Sequence, residues 1–283
     1  MDYRLSATAA LLNASCLTAL SGSARLYLAF LLAGLPPDCL ACFAAGLVIY
    51  STYTLDRVFA SSEDKINRTD YAHARRDIGV AVTFVAFITG TALFCSRNIW
   101  VAPFIPFFIG YLYSKGIRIG NLRLRLKGSL GGKNLVIGLT WGGTIAMVIA
   151  GSDVSILSVL VVFLFFFGKL FINSVIYDMK DTLGDMSAGI RTLPVVLGEN
   201  NTRLVLAGIF IFIHLLVALS MTFGLLSQEI VILTVSSLTT CLILVFYSSA
   251  LETSVSWLMR NLRISLIDCE APVTVLIRFA ITH

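Results

Sequence analysis

Long apolar blocks constrain this chain more than any other feature of its sequence. A helix needs about 20 predominantly apolar residues to cross the hydrocarbon core of a bilayer. Eight blocks reach or approach that length, near residues 7–33, 37–57, 77–96, 99–116, 133–151, 154–177, 203–226 and 229–250. Only 13% of the residues are charged, against about 25% in an average soluble domain. We therefore predict an all-α polytopic membrane protein, a bundle of eight or nine transmembrane helices that forms one domain over residues 1–283.

The ninth predicted segment, near residues 253–280, is apolar but carries several charges. These are Arg260, Arg263, Asp268, Glu270 and Arg278. Charges this closely spaced are unfavourable in a membrane helix. Three arrangements are therefore open: the segment lies on the membrane interface, crosses the bilayer as a poor last helix, or hangs loose.

Basic residues concentrate in every second connection between the blocks. The connections after blocks two, four and six carry Arg57, Lys65, Arg68, Arg75, Arg76, Lys115, Arg118, Arg123, Arg125, Lys127, Lys133, Lys180, Arg191 and Arg203. The opposite connections are nearly bare, with Arg97 the clear exception. Since Lys and Arg accumulate in cytoplasmic loops, we predict that the basic connections and the N-terminus lie on the cytoplasmic side.

An acidic motif follows the sixth block. Asp178, Asp181 and Asp185 are spaced i, i+3 and i+7, which places them on one face of a helix. A polar row precedes them at four-residue steps, namely Lys169, Asn173 and Tyr177. An ordinary solvated helix end could also carry acids, but polar side chains within a span normally face a bundle interior or a cavity. Neighbouring carboxylates repel one another without cations, and Mg²⁺ favours oxygen ligands. The motif therefore predicts a magnesium site.

A second acidic cluster ends block two and contains Asp56, Glu63 and Asp64, with basic residues between them. Four blocks separate it from the later motif, so both clusters are predicted to lie at the same face of the membrane. Carboxylates ringed by Lys and Arg suit a Mg²⁺–diphosphate group, and an apolar bundle suits a long lipid tail.

The acidic motifs resemble those of the UbiA superfamily of intramembrane prenyltransferases. Asp181-x-x-x-Asp185, followed by the Ala-Gly-Ile-Arg-Thr-Leu-Pro-Val run of residues 188–195, is similar to the second motif of that family and its sequel. Tyr113-Ser114, Lys127 and Asn134 resemble the family's loop between helices four and five. The resemblance extends from about residue 10 to 250 and follows the family's helix order.

The first motif departs from the family pattern N-x-x-x-D-x-x-x-D. Asp64 matches the last position, but Ala60 stands at the central acidic position and Asp56 at the Asn position. Asp56 can still bind a cation, whereas Ala60 cannot. Either the metal site is rebuilt around Asp56, Glu63 and Asp64, or this motif binds metal poorly.

The motifs and the resemblance together imply Mg²⁺-dependent transfer of a polyprenyl group from a prenyl diphosphate to an aromatic or lipid-like acceptor. The predicted partners are these two substrates and the bilayer, without nucleic acid. The predicted metal ligands are Asp56, Glu63, Asp64, Asp178, Asp181 and Asp185. The predicted catalytic residues are Asp181, Asp185, Lys127, Arg191 and Tyr177. The predicted substrate-binding residues are Asp56, Arg68, Tyr113, Lys133, Asn134, Lys169 and Asn173.

Two polar residues inside the apolar blocks have competing interpretations. Lys169 could pair with a carboxylate across the bundle, contact a substrate, or extend its ammonium to the membrane surface. His214 lies within block seven and is expected to satisfy a local hydrogen bond rather than to act in chemistry.

Two other functions are compatible with the sequence. Secondary transporters also carry polar residues inside membrane helices, but usually near the midplane, whereas these acids collect at one face. A catalytically weak paralogue that binds an isoprenoid without turning it over would explain Ala60.

Overall fold

The computed structural model describes residues 2–59, 74–115, 117–119, 122–124, 131–187, 189–246 and 257–282. Helices dominate them. The helices are α1 (Asp2–Asn13), α2 (Cys16–Leu32), α3 (Cys39–Val58), α4 (Arg76–Ser96), α5 (Phe104–Lys115), α6 (Gly132–Ala150), α7 (Ile156–Ser187), α8 (Leu193–Thr222), α9 (Ile230–Phe246) and α10 (Trp257–Thr282). Among the described residues, the all-α prediction missed a small hairpin of antiparallel strands, β1 (Ile117–Ile119) and β2 (Leu122–Leu124).

Six helical segments of the described chain are long and apolar enough to cross a membrane. They are Ser6–Leu32, Cys39–Val58, Arg76–Ser96, Gly132–Ala150, Ile156–Met179 and Leu193–Thr222, and the shorter Ile230–Val245 is also apolar. Block four was predicted to span residues 99–116, but α5 has only 12 residues. That length corresponds to about 18 Å, well short of the roughly 30 Å hydrocarbon core. The count of eight or nine spans therefore stays a prediction.

The chain forms two compact units. The first comprises Met1–Leu26 and Asp38–Arg125, and the second comprises Tyr27–Pro37 and Leu126–His283.

The first unit is built around α3, which packs against α1, α4 and α5. A Cβ at Gly90 of α4 would meet the Ala44 carbonyl oxygen at 3.1 Å, so a glycine there allows the two helices to approach closely. Asp38 caps the start of α3 by accepting from the backbone N–H groups of Leu40 and Ala41. Its other carboxylate oxygen lies 2.5 Å from Arg97 Nε. Arg97, the exception among the connections that carry few basic residues, is therefore paired with an acid.

The second unit is built around α7, which packs against α6 and α8. A Cβ at Gly142 of α6 would lie 2.9 Å from the Phe167 backbone nitrogen, so the helices α6 and α7 touch through a small residue. The next helix, α8, has Pro194 in its first turn and a kink at Gly198, whose φ of 75° is easily reached only by glycine. Within the unit, α7 therefore packs against both of its neighbours in sequence, α6 and α8.

The charged last segment is a continuous helix, α10, which packs on α9. Glu270 Oε1 lies 2.5 Å from Lys169 Nζ of α7, and both side chains are only 6% exposed. Lys169 also donates to the Thr240 hydroxyl of α9. Nearer the end of α10, two nitrogens of Arg278 donate to the Glu229 carboxylate at 2.9 and 3.2 Å. Two of the charges that made this segment a poor isolated span, those of Glu270 and Arg278, are thus neutralised by partners on other elements.

We expect removal of Lys169 to destabilise the fold strongly. Lys169→Met would leave the Glu270 carboxylate buried without its cation, which typically costs about 3–5 kcal/mol. The double variant Lys169→Met/Glu270→Gln should recover most of that loss, because neither charge then remains. Unfolding by SDS titration in mixed micelles would measure the free energies.

The matched control is Arg75→Gln, which breaks the exposed ion pair with Asp77 and should cost at most about 1 kcal/mol. A Lys169→Met variant as stable as this control would contradict a structural role for the buried pair.

Candidate active site

The acidic motif lies at the end of α7, where the apolar part of the helix stops at Met179 and the helix continues to Ser187. Because the helix is unbroken there, Asp178, Asp181 and Asp185 lie on one side of it, as their spacing predicted. Their environments differ. Asp178 is buried, Asp185 is partly buried and Asp181 is exposed. The motif therefore passes from the interior of the unit to its surface.

Asp178 of α7 forms hydrogen bonds with two residues in the first turn of α6. Its Oδ1 accepts a hydrogen bond from Lys133 Nζ at 2.8 Å, and its Oδ2 accepts one from Asn134 Nδ2 at 2.9 Å. A carboxylate that is only 2% exposed is costly unless it is paired and hydrogen-bonded, and α6 supplies both partners. The sequence singled out these three residues but did not predict that they bond to one another.

Asp185 experiences the charge of the whole cluster. Burial raises the pKa of its carboxyl to about 6, with a further contribution from the negative charges of Asp178 and Asp181, while Lys133 opposes the rise. The negative charge that several neighbouring carboxylates place at Asp185 favours a bound cation. The three acids and Lys133 therefore form one electrostatic group.

The polar row before the motif divides into two parts. Lys169 is bonded to Glu270 and Thr240, so pairing with a carboxylate across the bundle is the alternative that the structure shows for it. Asn173 is buried, and its Nδ2 has no hydrogen-bond partner among the described residues. Tyr177 is partly buried one turn further on. A substrate-binding role for Lys169 stays a prediction, while Asn173 retains a donor that a substrate could use.

Arg191 follows the motif in a tight turn. Gly189 adopts a positive φ of 67°, and the Ile190 N–H donates to the Asp185 carbonyl at 2.8 Å. This geometry resembles a glycine-based helix end, and it keeps Arg191, which is exposed, close in sequence and space to the end of α7.

The remaining predicted residues are in the first unit or outside the described chain. Asp56 lies on α3, partly buried, and Tyr113 lies on α5. Glu63, Asp64, Arg68 and Lys127, together with Ala60, lie outside the described residues. The structure thus brings together Asp178, Asp181, Asp185, Lys133 and Asn134 of the predicted site.

Sequence reasoning missed Glu270 as the partner of Lys169. The residue was noticed only as a charge that weakens a span. A buried Lys requires a partner, and that requirement alone pointed to an acid in another apolar segment.

Asp181 and Asp185 fit a Mg²⁺ ion, because both offer carboxylate oxygens at the accessible end of the helix. Within the described part of the chain, no three acidic, His or Cys side chains form a complete set of metal ligands. Mg²⁺ commonly takes one or two carboxylates and completes its shell with water and substrate phosphate oxygens. The two acids therefore match the usual protein share of such a site.

Comparisons with known proteins identify the family and the fold. The profile of the UbiA prenyltransferase family matches residues 39–258, whereas no curated protein sequence matches significantly. A UbiA homologue from Archaeoglobus fulgidus bound to GPP and Mg²⁺ aligns with a TM-score of 0.64 at 15% identity, over 97% of this chain and 99% of that chain. Digeranylgeranylglyceryl phosphate synthase aligns with a TM-score of 0.60 at 16% identity, over 97% and 99% of the two chains. The apo UbiA homologue from Aeropyrum pernix K1 aligns with a TM-score of 0.62 at 12% identity, over 92% and 98%. At these identities the likeness shows a shared fold.

The raised pKa of Asp185 makes the stability of the metal-free protein depend on pH. The folded-state pKa of about 6 exceeds the roughly 3.9 of an unfolded Asp, so the folded state binds more protons between these values. Stability in EDTA should therefore fall as the pH rises from about 4 to about 7. Asp185→Asn should remove this part of the fall and be more stable than wild type near pH 7.5. Thermal unfolding at several pH values would measure it, and equal pH profiles would contradict the prediction.

Proposed function

Because the chain belongs to the UbiA prenyltransferase family, we propose that it transfers a polyprenyl group from a prenyl diphosphate to an aromatic or lipid-like acceptor within the membrane. The observation that carries the proposal is the accessible pair Asp181 and Asp185 at the end of an apolar helix. The binding of GPP and Mg²⁺ by a structural relative supports it. The basic connections favour a cytoplasmic position for the acidic motifs.

Asp181 and Asp185, at the accessible end of α7, are the residues that would hold Mg²⁺. The sequence motifs predict Asp178 as a further ligand, together with Asp56, Glu63 and Asp64 of the first acidic cluster. When bound, Mg²⁺ supplies positive charge that stabilises the negative charge on the leaving diphosphate.

Basic side chains complete the proposed diphosphate site. Lys133 holds its ammonium against Asp178, so its charge is fixed before substrate arrives and needs no reorganisation during the reaction. Arg191 is exposed beside the end of α7, and its guanidinium can donate two hydrogen bonds to one phosphate group. Lys127 and Arg68 are assigned the same role from the motifs.

The apolar part of α7 is suited to the prenyl tail. Breaking the allylic carbon–oxygen bond leaves a carbocation-like prenyl group, which must be kept from water and can be stabilised by aromatic faces. Tyr177 precedes Asp178 directly and is the described aromatic residue closest in sequence to the acids. Tyr113 is a further candidate, because the sequence places it near the cytoplasmic end of its predicted span. The unpaired Asn173 Nδ2 could donate to an oxygen of the acceptor and orient it.

We expect Asp181→Asn and Asp185→Asn each to lower the rate of transfer roughly 100-fold or more. Each variant removes a carboxylate that would hold Mg²⁺, and the bound metal stabilises the negative charge that develops on the leaving diphosphate. The measurement is diphosphate release from geranylgeranyl and longer prenyl diphosphates in detergent, with acceptors screened by mass spectrometry. EDTA should abolish release, and added Mg²⁺ should restore it.

The matched control is Asp153→Asn, which changes an acid just before the other end of α7 and should leave the rate unchanged. Near wild-type rates in both motif variants would remove the metal role of these residues. A wild-type protein that releases no diphosphate with any acceptor would favour the weak paralogue.

A substitution at Ala60 distinguishes two alternatives: an active enzyme with a rebuilt metal site, and an enzyme whose first motif binds metal poorly. If Asp56, Glu63 and Asp64 already hold the cation, Ala60→Asp adds an unneeded negative charge and should leave the rate equal or lower. The same release assay measures it, with Ala60→Asn as the isosteric uncharged control. A large gain in rate for the Asp variant alone would show that the natural motif is impaired.

A further inference from the structure

Asp178 is the most buried of the three acids of its motif. Each oxygen already accepts a hydrogen bond from the first turn of α6, at 2.8 Å from Lys133 and 2.9 Å from Asn134. Asp181, in contrast, is exposed, and Asp185 is partly exposed. A metal that approached Asp178 would have to displace the partly exposed Lys133 ammonium from a carboxylate that is only 2% exposed, and the free energy of that pair would be lost.

These bonds join the first turn of α6 to α7. Gly131 precedes the helix with a positive φ of 64°, and none of the described side chains caps it. Lys133 and Asn134 are the second and third residues of α6. Further along, a Cβ at Gly138 would meet the Phe167 carbonyl oxygen at 3.0 Å. The helices α6 and α7 are therefore also in close contact beyond the hydrogen bonds to Asp178. The backbone and the ammonium of Lys133 are therefore both fixed relative to α7.

The ammonium of Lys133 is fixed next to the acids that fit a metal. Asp181 follows Asp178 by three residues, which is about 4.5 Å along the helix axis. Lys133 is also close enough to Asp185 to oppose the repulsion that Asp185 receives from the other acids. A diphosphate bound at Asp181 and Asp185 through Mg²⁺ would thus meet a cation already in place.

We infer that Asp178 is a positioning residue, which holds the Lys133 ammonium beside Asp181 and Asp185 for the diphosphate and is not itself a ligand of the metal. This inference rests on the proposed function, and it narrows the ligand set that the sequence predicted for the second motif. It assigns the three acids two different tasks on one helix face.

The test compares Asp178→Asn with Asp181→Asn in purified full-length protein. Binding of Mn²⁺, a stand-in for Mg²⁺, is measured by electron paramagnetic resonance without substrate, and binding of inorganic diphosphate is then measured at saturating Mg²⁺. Asp178→Asn should leave Mn²⁺ affinity within about twofold of wild type and weaken diphosphate binding about tenfold, in the range known for partners that orient a binding group. Asp181→Asn should weaken Mn²⁺ binding about tenfold or more.

Lys133→Met separates positioning from a general loss of structure. If Asp178 acts through Lys133, the double variant Asp178→Asn/Lys133→Met should bind diphosphate no more weakly than Lys133→Met alone. The double variant also buries no unpaired charge, so it keeps the test valid if Asp178→Asn alone does not fold. Its Mn²⁺ affinity should match that of Lys133→Met.

Three results would overturn the inference. Loss of Mn²⁺ binding in Asp178→Asn, or in the double variant, as large as in Asp181→Asn would make Asp178 a ligand. Unchanged diphosphate binding in Asp178→Asn would remove its positioning role, and so would additive losses in the double variant. A wild-type protein that binds neither Mn²⁺ nor diphosphate would refute the proposed function as well, which distinguishes the two failures.

Discussion

A charge inside an apolar helix bundle must find a partner, and this constraint determines how the second unit is built. An unpaired charge at membrane depth costs several kcal/mol, so each buried ion requires a specific neighbour. Lys169 of α7 meets Glu270 of α10, and Asp178 of α7 meets Lys133 of α6. Each pair also has a neutral hydrogen-bonding partner. The two pairs therefore join α7 to α6 and to α10, whereas α8 packs against α7 without either of them.

Much of the helical architecture could be predicted from the sequence, because apolar blocks and their length report directly on membrane helices. The spacing of Asp178, Asp181 and Asp185 likewise predicted one helix face, and α7 confirms it. Block four was less predictable. Hydropathy alone did not reveal that α5 has only 12 residues, since apolar residues continue on both sides of a short helix. The hairpin β1–β2 was missed because three-residue strands leave too short a pattern to detect.

In the site, too, the sequence predicted the features that depend on local spacing but not the contacts between residues far apart in the chain. The sequence identified Lys133, Asn134 and Asp178 as functional candidates, but it could not pair residues 44 or 45 positions apart, because that contact depends on how α6 packs on α7. The charged last segment was difficult to interpret for a related reason. Hydropathy treats each charge as isolated, whereas Glu270 is neutralised by a residue about 100 positions earlier. A buried charge in one segment is thus a reason to look for its opposite in another.

The polar residues of α7 differ in how they are bonded and in how far they are buried. Lys169 is fully engaged by α9 and α10, and Asp178 by α6. Asn173, between them, keeps an unpaired donor, and Asp181 and Asp185 reach the accessible end of the helix. Groups engaged by the protein are held rigidly, and an unpaired donor such as Asn173 Nδ2 can bind a ligand without losing a bond first. Rigid attachment at Lys169 and Asp178 therefore keeps the intervening and following residues in place, which is the preorganisation that charge stabilisation in a reaction requires.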